Sequence, residues 1–417
     1  ITYRTLSADG KELRPSPFVE DLLELFPADA KILKPAIAAS AFVPKPSDVA
    51  SPRDLRNAAF AGALDLKRAF AEEFRSVQRG AEIEKRRFLP VPFDAHDGVL
   101  ADSSLRAQLA HLFGPDHTYS VSQIEAYAAC PFAYFADRVL GILDVEQPTD
   151  DFDARLVGTI LHDVLQAFHH HYREQAVADI PEDEASQTMA DLADEIFRQD
   201  IRYNTSVSAG IAAVIKAQVD RTLQRYLRQA RVDGEQRWKP AHFELTFGEQ
   251  RESFYDPKDR PEPLAIETPE GTLLFKGRID RVDLDGSRAR IIDYKSGGVP
   301  GAGDLKKCLS VQLAVYAMAV EDHLLPDVRC EEAGFLQLGR DKLVSGIDSG
   351  GRNGGWVERR ADVIAALSRY VHGIRNGEFP PVPRRKGCDY CAVRGACRHE
   401  TARIERKGAE DADAADD

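Results

Sequence analysis

The sequence predicts an α/β fold, and three observations support this class. The stretch from Phe275 to Gly297 alternates apolar and polar residues in two segments joined at Asp285-Gly286, which indicates a β-hairpin. Two further short runs, at 242–247 and 332–338, indicate additional strands. Segments with apolar residues at helical spacing lie before and after these strands. Helices of this kind are expected to cover a sheet with their apolar faces.

Composition and charge limit what this chain can be. Its 417 residues are 43% hydrophobic, which suffices for two or three domains with sizeable cores. No apolar run approaches the roughly 20 residues of a membrane span, and no signal peptide opens the chain, so we expect a cytoplasmic protein without a membrane segment. The net charge of -13 does not decide the partner. The chain begins at Ile1 rather than Met, which raises the hypothesis that it is a fragment.

Residues 1–117 are predicted as a mainly helical region that Pro- and Ala-rich stretches interrupt. The sequence contains no phosphate-binding loop of the G-x-x-x-x-G-K-[ST] kind, so we expect no ATP hydrolysis by this chain. Gly114-Pro115-Asp116 then marks a linker. After it, Ser120 or Ser122 is expected to cap a helix that ends at Cys130.

A long helix is predicted from about Arg155 to Arg173, with an apolar stripe at helical spacing. His162 lies at the rim of that stripe, where a histidine is more often a hydrogen-bonded structural residue than a metal ligand. The triplet from His169 to His171 is expected to form a solvated helix end, because consecutive residues point in different directions.

A second long helix is predicted from 210 to 231. Four arginines share one of its faces, namely Arg221, Arg225, Arg228 and Arg231. Such a stripe can follow a phosphate backbone or can be an ordinary solvated face, and the sequence leaves both open. On the strand at 242–247, Glu244 is most simply a surface residue.

The predicted hairpin carries charged residues suited to hydrolytic chemistry. Asp280 lies on its first strand, and Asp293 and Lys295 share one face of its second strand. Such residues usually form ordinary surface ion pairs. Two carboxylates at hairpin spacing beside a lysine are also what phosphodiester hydrolysis needs: oxygen ligands for Mg²⁺ or Mn²⁺, and a cation near the attacking water. Glycoside hydrolysis would use two carboxylates but has no necessary part for Lys295.

One helix is predicted after the hairpin, from about Leu305 to Val320, with Gln312 and Tyr316 on one face. The apolar residues between them would also suit an ordinary core helix. The elements expected next are a strand from Glu332 to Leu338, a mobile Gly-rich loop from Gly346 to Gly355 and a helix from about Arg360 to Asn376.

Six cysteines are too few and too unevenly spaced for a disulfide framework in a chain of this length. Cys388, Cys391 and Cys397 crowd near the end of the chain, with two and five intervening residues. This spacing suits a zinc site if His399 is the fourth ligand, or a site completed by a distant cysteine.

Several separated segments resemble the RecB-like branch of the PD-(D/E)xK nuclease superfamily. They are the stretches Gly158 to His162 (GTILH), Gly277 to Asp283 (GRIDRVD), Ile292 to Gly297 (IDYKSG) and Gln312 to Tyr316 (QLAVY). The resemblance implies a restriction-endonuclease-like core, in which helices flank a mixed central sheet, and a metal-dependent deoxyribonuclease activity.

The resemblance also implies roles for individual residues. His162, Asp280, Asp293 and the Tyr294 carbonyl would bind Mg²⁺ or Mn²⁺. Lys295 would position water or stabilise the transition state. Two further residues, Gln312 and Tyr316, would support substrate placement, and Glu244 becomes a candidate for an extra acidic residue near the metal.

The pattern from Ser120 to Phe135 (SVSQIEAYAACPFAYF) resembles the start of the iron-sulfur-bearing RecB-like nucleases. In these proteins one cysteine precedes the nuclease core and three follow it. The resemblance therefore implies a [4Fe-4S] cluster that closes a loop around the whole core, with the ligands Cys130, Cys388, Cys391 and Cys397. The two remaining cysteines are expected to be ordinary thiols.

The stretch from Asp9 to Phe18 (DGKELRPSPF) resembles the segment before the nuclease domain in the B subunit of AddAB-type helicase-nucleases. This resemblance makes 1–117 the end of an inactivated helicase-like domain, 118–402 a nuclease domain with its iron-sulfur module, and 403–417 an acidic disordered tail. It implies an exonuclease that acts on DNA ends or single strands in double-strand break processing and recombinational repair, with an AddA-type helicase partner.

Two alternatives to this function stay open at the level of sequence. One is a free-standing RecB-like nuclease with an accessory N-terminal domain. The other is a non-catalytic iron-sulfur scaffold that holds a DNA strand for a partner, although intact Asp280, Asp293 and Lys295 argue against it.

Overall fold

A computed structural model describes residues 17–27, 47, 49–60, 75–142, 154–199, 209–232, 237–249, 256–338, 342–348, 356–383, 387–389, 391–397, 400–401, 403–404 and 407. The residue contacts divide the chain into two units, 1–84 and 85–417. The sequence-based division falls after residue 117, but Leu109 and Phe113 are buried in the core of the second unit. The segment 9–16, which carries most of the N-terminal resemblance, lies outside the described residues.

The described part of the first unit is helical. It contains α1 (Pro17–Glu24) and α2 (Pro52–Phe60), and α3 (Arg75–Arg87) begins there. Phe18 and Leu25 are exposed on and just after α1, whereas Ala58 on α2 is buried.

The second unit is built on a seven-stranded sheet. Its strands are β1 (Thr118–Ser120), β2 (Lys239–Phe247), β3 (Leu264–Thr268), β4 (Gly271–Asp285), β5 (Arg288–Lys295), β6 (Arg329–Gln337) and β7 (Lys342–Asp348). The first half of β4 pairs with β1 in parallel and with β3 antiparallel, and its second half pairs antiparallel with β2 and β5. β6 is parallel to β5 and antiparallel to β7. This mixed sheet confirms the predicted α/β class.

The predicted hairpin consists of β4 and β5. Asp285 pairs with Arg288 where the chain turns. Gly286 in the turn has a φ of 60°, a left-handed conformation that glycine adopts without a Cβ clash.

Successive residues of β5 face opposite sides of the sheet. Ile291 is buried in the larger core, and Ile292 and Tyr294 are buried in the smaller one. Asp293 and Lys295 therefore share the face of Ile291, whereas the Tyr294 ring lies on the other side of the sheet.

Helices cover both faces of the sheet. The α-helices described in the second unit after α3 are α4 (Ser103–Leu112), α5 (Val121–Ala129), α6 (Pro131–Tyr134), α7 (Ala154–His171), α8 (Glu182–Gln199), α9 (Ala209–Val232), α10 (Ala302–Lys306), α11 (Gln312–Ala319), α12 (Trp356–Asn376) and α13 (Arg394–Cys397). Short π-helices follow α6 and α11, at Phe135–Val139 and Val320–Leu324, and Val177–Asp179 is a 3-10 turn. α5, α11 and α12 bury their apolar residues in the larger core, and α7, α8 and α9 form the smaller core. None of the helices described here is long and apolar enough to cross a membrane.

The single helix predicted from 305 to 320 is wrong. The structure has two helices, because α10 ends at Lys306 and α11 begins at Gln312. Between them Cys308 has a φ of 53°, a conformation that ends a helix, and the Tyr370 hydroxyl donates to its carbonyl at 3.1 Å. Apolar periodicity does not report such a break.

The loop predicted from 346 to 355 begins later than expected. Gly346, Ile347 and Asp348 belong to β7, which pairs with β6. Residues 349–355 lie outside the described part of the chain.

Residues near the end of the chain are buried against the start of the second unit. Asp97 forms ion pairs with Arg403 at 2.6 Å and with Lys407 at 2.7 Å, and all three side chains are almost fully buried. Arg403 Nη1 also donates to the Arg87 carbonyl at 3.4 Å. Both cations fall in the segment predicted as a tail, so the buried part of the chain extends at least to Lys407.

Candidate active site

Three side chains with metal-ligating atoms come together beside β4. They are His162 on α7, Glu244 on β2 and Asp280 on β4, and their ligating atoms all lie within 4.8 Å of one another. The register of β2 against β4 places Glu244 opposite Asp280. His162 Nδ1 is 3.5 Å from Asp280 Oδ2. These three groups form a candidate cation site.

Glu244 has an unusual backbone for a non-glycine residue. Its φ is 51°, in the left-handed region, where strain is characteristic of functional sites. Its carboxylate lies 2.7 Å from Arg278 Nε. The sequence offered Glu244 only as an optional acidic residue, because a strand pattern does not show that the backbone departs from extended geometry.

The second strand of the hairpin brings a charged pair next to this cation site. Asp293 Oδ2 is 2.6 Å from Lys295 Nζ, although Oδ2 accepts no well-oriented hydrogen bond from any described residue. The Tyr294 amide donates to Asp280 Oδ2 at 2.7 Å, which ties the two strands together at the site. The Tyr294 carbonyl lies beside His162 and favours its protonated form.

Gln312 connects this charged pair to α11. Its Nε2 donates to Asp293 Oδ1 at 2.8 Å and to the Tyr316 hydroxyl at 3.1 Å, and its Oε1 accepts from Lys295 Nζ at 3.1 Å. The structure therefore brings together all six predicted side chains of the site. Gln312 contacts the charged pair itself and Tyr316 contacts Gln312, so Gln312 supports Asp293 and Lys295 directly and Tyr316 supports them through Gln312.

The electrostatics of the site favour neutral forms and a bound cation. Burial raises the pKa of Asp280 well above its ordinary value, and the charges of Asp293 and Glu244 raise it further. Burial also raises the pKa of Asp293, although Lys295 opposes this shift. Burial and the charge of Lys295 lower the pKa of His162 to about 4, so its imidazole is neutral near pH 7 and can act as a ligand.

A close approach of α7 to the end of β5 places His162 at this site. A Cβ added to Gly158 would lie 3.0 Å from Ser296 Oγ, which is tighter than ordinary van der Waals contact. Gly158 is four residues before His162, so both lie on the same side of the helix. The glycine of the stretch GTILH therefore lets the helix approach the strand closely.

Comparison with known proteins decides the family. A profile described as the PD-(D/E)XK nuclease superfamily matches residues 118–398. The chain belongs to this superfamily. The matched residues include the hairpin of β4 and β5, which carries Asp280, Asp293 and Lys295.

The chain is also similar to B subunits of proteins named ATP-dependent helicase/deoxyribonuclease. This similarity covers more of the chain than the nuclease domain alone. The B subunit of that name from Symbiobacterium thermophilum is 29% identical over 369 residues, which are 81% of this chain and 30% of the relative. Those from Clostridium tetani and Geobacillus kaustophilus are 27% and 24% identical and cover 82% and 83% of this chain. The chain spans about 30% of the length of these relatives.

A buried polar network lies on the opposite side of the nuclease sheet. Arg281 binds Asp283 through two nitrogens, at 2.5 and 2.9 Å, and donates from Nη1 to the Tyr226 hydroxyl at 2.8 Å. His169 Nε2 lies 2.5 Å from the same hydroxyl. The expectation of a solvated histidine triplet is therefore wrong for His169, which is 1% exposed, because the helix turns this residue toward Arg281.

The four arginines predicted to share one face of the second long helix differ in their exposure to solvent. Arg221, Arg225 and Arg228 on α9 are exposed. Arg231 is half-buried and donates to the Ile180 carbonyl at 2.7 Å. The last member of the stripe thus stabilises the fold.

The four cysteines implied by the resemblance line one cavity of the nuclease domain. Its walls are otherwise mainly apolar, and its cysteines are Cys130, Cys388, Cys391 and Cys397. The Val382 amide donates to Cys130 Sγ at 3.5 Å. Within the described residues, no three of these sulfurs lie within 4.8 Å of one another. His399, the fourth ligand of the zinc alternative, lies outside the described residues.

Proposed function

We propose that this nuclease domain is a Mg²⁺- or Mn²⁺-dependent exodeoxyribonuclease of the cytoplasm that hydrolyses phosphodiester bonds in DNA. The observation that carries the proposal is the juxtaposition of the Asp293–Lys295 pair with Asp280 on adjacent strands, beside His162 and Glu244. Carboxylates, an imidazole and a cation in one place suit phosphoryl chemistry.

The residues fit a hard divalent cation. His162, Glu244, Asp280, Asp293 and the Tyr294 carbonyl would hold it, since carboxylate and carbonyl oxygens are its preferred ligands. The repulsion that raises the pKa of Asp280 is the repulsion that a cation would relieve. When bound, the cation supplies positive charge against the scissile phosphate and favours the ionisation of water.

Lys295 and its supports supply the remaining chemistry of the chain itself. The Lys295 ammonium can orient the attacking water or stabilise negative charge that develops on the phosphate. Gln312 holds this ammonium through Oε1 and holds Asp293 through Nε2, so the two groups keep a fixed separation. Tyr316 accepts a hydrogen bond from Gln312 and limits the rotation of its amide.

The test of this proposal is metal-dependent digestion of end-labelled linear DNA by the parent and by Asp293→Ala. We expect a loss of rate of about a hundredfold or more in the variant, because a group acting on the reacting phosphate is removed. Asp285→Ala removes a carboxylate from the turn of the same hairpin and should retain the parental rate. Unchanged cleavage by Asp293→Ala would contradict the nuclease proposal and leave the DNA-binding scaffold as the alternative.

We infer that the domain works in double-strand break processing and recombinational repair beside a helicase. The names of the relatives, which combine helicase and deoxyribonuclease, support this proposal. The substrate would be a DNA end or a single strand that an AddA-type partner delivers. Digestion of linear DNA with and without such a partner and ATP separates this role from a free-standing nuclease, whose rate would not respond to either.

We propose a [4Fe-4S] cluster as the ligand of Cys130, Cys388, Cys391 and Cys397. The shared cavity and the amide that donates to the Cys130 sulfur support it, since hydrogen bonds to sulfur are typical of such clusters. Anaerobically purified protein should absorb at about 400 nm and contain iron. Stoichiometric zinc without this absorbance would favour the alternative with His399.

A further inference from the structure

Glu125, on α5, binds the N-terminus of the helix that carries Gln312. Its Oε1 accepts hydrogen bonds from Ser310 Oγ at 2.9 Å and from the amides of Val311 and Gln312 at 2.8 and 2.9 Å. Val311, which precedes the helix, makes no side-chain capping hydrogen bond. A carboxylate from a different helix therefore satisfies amides that a local capping residue usually satisfies.

Burial of Leu313 to Ala319 packs α11 into the larger core, and the contact with Glu125 fixes its first turn, which has no local capping side chain. The chain leaves α10 at Lys306 and turns at Cys308, so the first amides of α11 have no preceding helical turn to bond with. Glu125 is separated from Gln312 by 187 positions in sequence. The start of α11 is thus defined relative to α5 by one oxygen atom with three donors.

A displacement of α11 would directly affect Asp293 and Lys295, the charged pair of the site. Gln312, its first residue, donates to Asp293 and accepts from Lys295. Displacement of a group by about 1 Å can cost a hundredfold in rate when geometry is needed for the chemistry. Glu125 itself contacts neither of these two residues by hydrogen bonding within the described structure.

We propose that Glu125 is a positioning residue of the nuclease site, which fixes Gln312 and through it Asp293 and Lys295. This inference rests on the proposed function, because it assigns Glu125 a part in that reaction. The required property is an acceptor oxygen at the correct distance. The negative charge is not required, because the three donors to this oxygen are an uncharged hydroxyl and two uncharged amides.

A series of three substitutions tests this property. Glu125→Gln keeps an acceptor oxygen at the same distance, Glu125→Asp withdraws the carboxylate by one methylene, and Glu125→Ala removes it. At saturating linear DNA and Mg²⁺, we expect the Ala and Asp variants to lose kcat by on the order of tenfold to a hundredfold. The Gln variant should stay within about threefold of the parent, because its hydrogen bonds can persist.

A matched control separates positioning from general loss of stability. Asp102 caps α4 by accepting hydrogen bonds from the amides of Ser104 and Leu105. Asp102→Ala therefore removes a capping carboxylate from a helix that carries none of the site residues. The control should keep the parental kcat below its melting temperature. DNA affinity in Ca²⁺, measured by fluorescence anisotropy, should stay within about twofold in all variants, since Glu125 acts on the reacting groups.

A double-substitution cycle tests whether Glu125 acts through Gln312. If it does, adding Glu125→Ala to Gln312→Ala should change kcat by less than about twofold, because the connection is already broken. If the losses of kcat in the two single variants instead multiply in the double variant, the inference is overturned. A parental kcat in Glu125→Ala would overturn it as well. A Gln variant as impaired as the Ala variant would also overturn it, because charge would then be the required property.

The affinity for Mn²⁺, measured by titration calorimetry, distinguishes failure of this inference from failure of the proposed function. If the parent does not cleave DNA in the presence of a metal, the proposed function fails. The Mn²⁺ affinities of the variants then test whether Glu125 positions Asp293. Weaker Mn²⁺ binding in the Ala and Asp variants, with parental binding in the Gln variant and in Asp102→Ala, would support positioning of Asp293. Equal affinities in an inactive series would overturn it.

Discussion

At the residue scale, the site is defined by like charges held close together. Asp280 lies beside Asp293 and Glu244, and its pKa is raised by burial and by their charges. The native state therefore binds this proton more tightly than the unfolded chain does. Stability contributed by Asp280 is present below the ordinary pKa of an aspartate and is lost as pH rises through the raised value.

We predict that Asp280 destabilises the metal-free protein more at about pH 8 than at about pH 5.5, and that Mn²⁺ opposes this destabilisation. Asp280→Asn removes the titrating group, so in the presence of a chelator its melting temperature should exceed that of the parent by more at about pH 8 than at about pH 5.5. The measurement is thermal unfolding with chelator and with Mn²⁺ at both values. Identical pH dependence in the parent and in Asp280→Asn would contradict the assignment.

We predict different effects for the two supports of the charged pair. Gln312→Ala breaks contacts with both Asp293 and Lys295 and should lower kcat by about tenfold to a hundredfold. Tyr316→Phe removes one acceptor from Gln312 and should cost less than about tenfold. Steady-state digestion of linear DNA gives both values. A larger loss in Tyr316→Phe than in Gln312→Ala would show that the hydroxyl has a separate role.

Residue types and spacing predicted the participants of the site but not all their contacts. Asp280, Asp293 and Lys295 could be found because a hairpin with a two-residue turn brings its strands together by local geometry. Glu125 could not be found, because its contact with Gln312 depends on the packing of two helices far apart in sequence. Glu244 was uncertain for another reason, since its side-chain position depends on a left-handed backbone.

At the scale of single elements, the hydrophobic periodicity of the sequence predicted which helices and strands are present. It was less successful in predicting whether a helix is continuous. The helices at 154–171 and 209–232 and the hairpin agree with the expected ones within a few residues. The helix predicted from 305 to 320 fails because Cys308 turns the chain within a run that stays apolar. His169 was assigned to solvent because the polar network that it meets comes from β4 and α9.

We predict that His169 makes the fold sensitive to acid. Burial and the charge of Arg281 lower its pKa well below 6.5, so it is neutral in the native state. The unfolded chain takes up this proton below about pH 6.5, and the stability contributed by neutral His169 is therefore lost as pH falls through that value. The melting temperature of His169→Gln relative to that of the parent should therefore rise as pH falls from about 7.5 to about 5.5.

The matched control for His169 lies two residues away on the same helix. His171 is exposed, so His171→Gln should melt like the parent across this pH range. An equal change in pH dependence for both variants would show that His169 is not the responsible group.

At the scale of the whole molecule, helix α5 serves two sites. Glu125 lies near its middle and contacts α11, and Cys130 follows its last residue and lines the cysteine cavity. The other cysteines of that cavity follow the sheet in sequence, so a group bound there would join both ends of the nuclease domain. Loss of that group should therefore loosen the domain as a whole.

We predict that Cys388→Ser lowers the melting temperature of the purified holoprotein and abolishes its absorbance at about 400 nm, because one ligand of the proposed cluster is removed. Cys308→Ser is the matched control, since Cys308 does not line the cavity. It should keep the absorbance and the iron content of the parent. Retention of both by Cys388→Ser would contradict the proposed ligand set.

The buried ion pairs of Asp97 determine where the nuclease domain can be shortened for expression. The acidic composition of the last residues suggests cutting after 402, but such a protein would lack Arg403 and Lys407 and would retain Asp97 as a buried charge. Removing the partners of a buried charge typically costs about 3–5 kcal/mol, a large share of the stability of a domain. A shortened protein should therefore keep the chain through Lys407, and a protein cut after residue 402 should melt at a lower temperature than one cut after Lys407.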